Sequence, residues 1–247
     1  MANPVSGAQY LMRGFSLIRE KGLRRFVLIP LLVNLVLFVA AFSWLTYRIK
    51  DMVNWVLGYL PNWLDWLEYL IWPLAILSVL VVFSYLFSAI ANWIAAPFNG
   101  LLAERVELKL TGEPLPDTGM LDIVKDMPRL FGREWAKLKY YLPRAIGFLL
   151  LFLVPVVGQT LGAALWFFFT AWMMAIQYLD YPFDNHKIPF EDMKLALKYQ
   201  RSASFSFGIL ATLLAMVPIL NLIVMPVAVC GATAMWVERF RPHLLRR

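Results

Sequence analysis

The segment Lys21-Gly22-Leu23-Arg24-Arg25-Phe26 stands immediately before the first long apolar run of the chain. A tetrahedral oxyanion is recognised by three kinds of group. These are free backbone N–H groups at a helix N-terminus, a glycine that lets the backbone come close, and guanidinium forks that match paired oxygens. Gly22, Leu23, Arg24 and Arg25 supply all three within four residues. A second reading needs no ligand: basic residues beside a membrane helix also set its orientation. The residues alone leave both readings open.

Other chemistry is sparse. The chain has no G-x-x-x-x-G-K-[ST] for a nucleotide phosphate, no H-E-x-x-H and no G-x-S-x-G. Its two histidines, His186 and His243, fall outside the apolar runs, and its single Cys230 excludes an internal disulfide or a multi-cysteine metal site. No catalytic residue, metal or cofactor is implied, so the expectation is a protein that is not an enzyme. Asp180-Tyr181-Pro182-Phe183-Asp184 spaces two carboxylates by four residues. Pro182 between them points to a turn and helix capping rather than to paired acid and base. Asn34, Asn92 and Asn99 lie within apolar runs and would be costly against lipid, so they are candidate pathway residues or interhelical hydrogen-bond partners. Glu104 and Arg105 form a candidate gate pair or a solvated face.

These residues must be positioned in lipid. Of the 247 residues, 61% are hydrophobic and only 16% charged. Four stretches carry no Asp, Glu, Lys or Arg: Phe26 to Tyr47, Tyr69 to Ala103, Ala145 to Leu179 and Ser202 to Val237. Each exceeds the roughly 20 residues needed to cross a hydrocarbon core about 30 Å thick. The expected class is therefore an all-α integral membrane protein forming one membrane-embedded domain over 1–247. The first apolar run begins after 25 mostly polar residues and is too long for a signal-peptide core, so it is expected to be retained. Net charge is +7, but the loop 48–68 is net negative. By the positive-inside rule that loop lies outside and both termini lie in the cytoplasm. The basic balance thus reflects topology, with no nucleic acid implied.

The elements differ in kind. Residues 26–47 predict one plain transmembrane helix, with Pro30 in its first turn. Residues 69–110 predict a helix about 63 Å long, part of which must project into the cytoplasm, with a kink at Pro97 in Ala96-Pro97-Phe98-Asn99 and a stop at Gly112 and Pro114. Residues 120–142 predict a basic amphipathic helix whose apolar positions Leu121, Val124, Phe131, Trp135, Leu138 and Leu142 pack on the protein's own projecting helix or lie on lipid. The runs 145–179 and 202–237 are broken at Pro155 and Pro218, each within Leu-x-x-Val-Pro, and read as two helical hairpins with arms too short to cross comfortably.

Length, the Gly22-Leu23-Arg24-Arg25 segment, the Ala96-Pro97-Phe98-Asn99 stretch and the two Pro-broken hairpins together make the whole chain resemble the CysZ family of bacterial inner-membrane sulfate transporters. That resemblance implies two long transmembrane helices plus two pairs of hemi-penetrating helices, sulfate uptake feeding cysteine biosynthesis, a multi-pass location in the bacterial inner membrane and assembly into homo-oligomers. It also implies that Gly22, Leu23, Arg24 and Arg25 bind sulfate. The alternative is a non-transporting scaffold or regulator of a sulfate-assimilation complex.

Overall fold

The computed structural model describes residues 5–59, 61, 66–114, 120–156 and 158–245, and their side chains apart from those of 86, 88–97, 120–125, 127, 218, 219 and 222. All regular structure among them is helical, in the order α1 (Gly7–Leu17), α2 (Arg24–Leu57), α3 (Glu68–Thr111), α4 (Met120–Leu151), α5 (Ala163–Asn185), α6 (Phe190–Tyr199), α7 (Arg201–Ala215), α8 (Pro218–Met235) and α9 (Arg241–Leu244). Short π-helical turns, Gly158–Gly162 and Trp236–Phe240, precede α5 and follow α8. Among the described residues, four helical segments are long and apolar enough to span a bilayer: Arg24–Leu57, Glu68–Tyr85, Gly158–Asn185 and Ile223–Leu244.

The chain divides into two compact units, residues 25–98 and residues 1–24 with 99–247. In the smaller unit α2 packs on α3 through phenylalanines, Phe38 against Phe83 and Phe87 with ring centroids 5.6 and 5.2 Å apart. Residues along α2 such as Leu32, Val36 and Val39 are more than half exposed, as a helix facing lipid requires. α2 starts at Arg24, so Pro30 falls in its second turn instead of its first. The helix also continues past Tyr47 through Arg48, Lys50 and Asp51.

The larger unit is built on α1, α5, α7 and α8. Ser6 opens α1 with a capping box: its hydroxyl accepts from the Gln9 N–H, and its own N–H donates to the Gln9 side chain. Tyr10, Leu11 and Leu17 of α1 are buried. Close approach of helix backbones depends on small residues. A Cβ at Gly14 would lie 2.1 Å from the Val227 carbonyl oxygen, and one at Gly208 would lie 1.8 Å from that of Ala171. α3 is helical without interruption from Glu68 and ends where Gly112, at φ +75°, turns its N–H onto the Leu108 carbonyl. Pro155 stands in the non-helical turn after α4, and Pro218 is the first residue of α8.

The amphipathic helix is turned the opposite way to a soluble one. On α4 the cations Arg129, Arg133 and Lys137 point inward, Arg133 being 7% exposed, whereas Phe131 and Trp135 are 68% and 57% exposed and Lys139 and Arg144 lie outside with them. Packing of its apolar positions on the projecting end of α3 is thereby corrected for Phe131, Trp135, Leu138 and Leu142. Leu121 and Val124 lie outside the described side chains. The cause is on α5, where Asp180 and Asp184 sit one turn apart inside the helix, Pro182 between them. Arg133 donates to Asp180 from Nε at 2.8 Å, Lys137 reaches the other Asp180 oxygen at 2.9 Å, and Arg129 bonds Asp184 at 2.6 Å. The turn-and-capping reading of these carboxylates is corrected too: they are counterions inside a helix.

Candidate anion site

α1 ends on buried Leu17, and its last carbonyls are satisfied by a tight turn. Ile18, Arg19 and Glu20 donate their N–H groups to Gly14, Ser16 and Leu17 at 3.0, 3.1 and 3.0 Å. Gly22 then reverses the chain at φ +95°, a conformation that costs an L-residue steric strain. Leu23 is 3% exposed and its N–H donates to the Glu20 carbonyl, so it pins the turn against the larger unit. α2 begins at the next residue, Arg24, and the N–H groups of a first helical turn have no intrahelical acceptor. One glycine and one buried leucine thus present a helix N-terminus flanked by Arg24 and Arg25.

The charge balance there is positive. Both arginines are exposed, and among the described residues neither is paired with a carboxylate. Arg24 is oriented by its Nε–H, which donates to the Arg19 carbonyl at 2.5 Å and leaves the two terminal nitrogens for a ligand. The Arg25 guanidinium lies 5.0 Å from the Phe26 ring centroid, a cation–π placement. The one carboxylate within the turn, Glu20, is engaged by Lys109. What remains at the start of α2 is two adjacent arginines whose guanidinium groups have no carboxylate partner among the described residues.

The other candidates are dispersed. Asn34 lies nine residues beyond Arg25, about 14 Å along the helix and on its opposite face, and its buried Oδ1 has no hydrogen-bond partner among the described residues. The Asn92 side chain is outside those described. Asn99 is buried, with its amide nitrogen 3.5 Å from the Tyr181 hydroxyl, a long contact inside the larger unit. Glu104 is half-buried and Arg105 exposed, and no ion pair joins them among the described residues.

The carboxylate of α3 that gathers partners is Glu107, 2% exposed. His186 Nε2 lies 2.8 and 3.0 Å from its two oxygens, and Trp236 Nε1 donates to it at 3.2 Å. Arg241 Nε lies 3.0 Å away as a charge partner, without hydrogen-bond alignment. Sequence reasoning missed this cluster, because the partners lie 79 and more residues from Glu107 and no local spacing announces it. The Arg129, Arg133, Lys137 series did carry a signal: cations at i, i+4 and i+8 match carboxylates at 180 and 184.

Long apolar helices, paired charges within one unit and a glycine-hinged basic turn at the head of the first spanning helix define an all-helical, multi-pass membrane protein. The chain belongs to the family described as Sulfate transporter CysZ/Etoposide-induced protein 2.4, which matches residues 10–226. It is similar to the proteins named Sulfate transporter CysZ of Salmonella typhimurium, Salmonella enteritidis and Salmonella typhi. Each is 56% identical over 238 residues, covering 96% of this chain and 94% of the relative.

Proposed function

We propose that the protein carries sulfate across the bacterial inner membrane for cysteine biosynthesis, without chemistry of its own. Family membership and the 56% identity to proteins named as sulfate transporters support the substrate. The observation that supports the site is the turn Gly22-Leu23-Arg24-Arg25, where a positive-φ glycine is followed by a helix N-terminus and by two exposed arginines without carboxylate partners among the described residues. A sulfate ion there would accept charge-assisted bonds from Arg24 and Arg25 and from first-turn N–H groups of α2.

Further features belong to the same proposal. The net-negative 48–68 loop puts both termini in the cytoplasm and the site at the cytoplasmic end of α2. The hairpins around Pro155 and Pro218 enter the bilayer without crossing it, and copies of the chain assemble into a homo-oligomer. Asn34, whose carboxamide oxygen has no partner among the described residues, is the pathway candidate to test first; Asn92, Asn99, Glu104 and Arg105 follow. Sulfate flux into liposomes holding only the purified protein tests transport. Flux that depends on Arg24 and Arg25 supports it, and a folded protein giving no flux supports the scaffold alternative.

A further inference from the structure

We propose that the cavity between α5, α6 and α7 is a binding site for the phosphate headgroup of an anionic phospholipid. Only Gln200 separates α6 from α7, so the last turn of α6 and the first turns of α7 face one hollow. Its volume is about 400 Å³, and it is lined by Trp172, Lys198, Arg201, Ser202 and Phe205. These residues lie far along the chain from Gly22–Arg25, and the inference does not rest on sulfate binding there.

The walls and the rim ask for different chemistry. Trp172 is fixed by its Nε1–H, which donates to the Tyr140 hydroxyl at 3.0 Å, and its ring stands 6.5 Å from that of Phe205. Phe205 in turn stands 5.8 Å from Phe168, which is 45% exposed. Trp172, Phe205 and Phe168 all belong to the charge-free runs, so this aromatic track leads from the cavity towards the hydrocarbon. Lys198 and Arg201 stand just before the charge-free run that opens at Ser202. Both are exposed, and neither is paired with a carboxylate among the described residues. The acidic residues of α6, Glu191 and Asp192, occupy its first turn, and Glu191 is paired with Lys194.

A cavity with two free cations at its mouth and aromatic rings running into the bilayer fits an amphiphile with one anionic end. A free oxyanion would use the cations and leave the aromatic wall against water. A zwitterionic lipid would bring its own ammonium against Lys198 and Arg201. The exposed Tyr199 and Leu195 on α6 place the same surface at headgroup level, where amphipathic rings settle.

Native mass spectrometry of the purified full chain in non-ionic detergent, incubated with equimolar phosphatidylglycerol and phosphatidylcholine, tests this. The wild-type chain should retain phosphatidylglycerol preferentially. Lys198→Gln or Arg201→Gln should each reduce that preference about 5-fold, and the double variant about 30-fold, from roughly 1 kcal/mol per basic residue at the headgroup surface. The charge-preserving pair Lys198→Arg, Arg201→Lys should keep the preference, as should Lys139→Gln, a cation of α4 outside the cavity. Unfolding midpoints of the variants confirm folding, which exposed side chains such as these should not disturb. Equal retention of the two lipids by the wild type, or undiminished preference in the double glutamine variant, would overturn the proposal. Displacement of phosphatidylglycerol by inorganic phosphate at equal concentration would mark a free-anion site and would overturn it as well.

Discussion

Arg24 and Arg25 differ in how they are held, and their substitutions should differ accordingly. Alanine at either position should weaken sulfate binding by about 1.5–3 kcal/mol, the range for hydrogen bonds to charged groups, or roughly 10- to 150-fold in affinity. Lysine at position 24 should rescue only in part, because the Nε–H that bonds the Arg19 carbonyl and orients the fork is lost. Calorimetric titration of sulfate into the purified variants measures this, and wild-type affinity in the doubly substituted Arg24→Ala, Arg25→Ala protein would remove the site. At Gly22 the structure changes the reason for a glycine. A side chain there meets no atom within 4 Å, so space is not the constraint, but φ is +95°. Gly22→Ala should therefore cost about 1–2 kcal/mol through strain, and Gly22→Asn should cost less, read as unfolding midpoint and sulfate affinity together. Asp126 gives a pH-dependent counterpart. The Lys187 ammonium bonded to its carboxylate, with help from Arg129, holds its pKa below the usual carboxylate range. The folded value is depressed, so the pair's contribution is present above about pH 4, the unfolded carboxylate's pKa, and fades as pH falls through the lowered value. Asp126→Asn should flatten that acid limb in a stability-versus-pH series.

Helix α4 shows what periodicity can and cannot say. Its apolar residues Phe131, Trp135, Leu138 and Leu142 recur at helical spacing, as do Arg129, Arg133 and Lys137, and that periodicity is legible in the chain. Which face turns inward is not, because that depends on carboxylates 47 to 55 residues away. Arg133 and Asp180, with side chains 5% and 10% exposed, form the inner pair. Arg133→Ala should strand Asp180 with Lys137 as its remaining partner and destabilise the larger unit by about 3 kcal/mol, whereas replacing both residues with apolar ones of similar size should recover most of that loss. Unfolding midpoints of the single and double variants in one detergent decide it. A double variant as unstable as the single would mean the pair does more than neutralise itself. α1 was not among the predicted elements, although Ser6-x-x-Gln9 before Tyr10 and Leu11 is a capping-box pattern that could have announced it. Its burial was not legible, since the partner surface is supplied by α7 and α8 at the far end of the chain.

Across the whole molecule the charge pattern predicts one orientation. The native thiol, Cys230, is fully buried, so introduced cysteines should report on a quiet background. A cysteine at Tyr59 should react with an impermeant thiol reagent from the periplasm, and one at Pro114 should not; equal labelling at both would mean dual insertion. Leu153→Cys, in the turn after α4, and Asn221→Cys, in the first turn of α8, should stay unlabelled from the periplasm if the hairpins enter without crossing. Free labelling there would show full spans. What the sequence determined by itself is what local physics controls. Charge-free length makes the chain a membrane protein, the count of basic residues in each loop predicts its orientation, and Gly112 marks where the long helix stops, because each effect acts within a few residues. The tertiary structure decided which charges face inward and which remain available. Glu107 meets His186 and Trp236, and Asp180 meets Arg133, only after distant helices pack, and burial without water forces each such charge to find a partner. Arg24 and Arg25 differ from them in staying exposed at a helix end, where no buried carboxylate claims them.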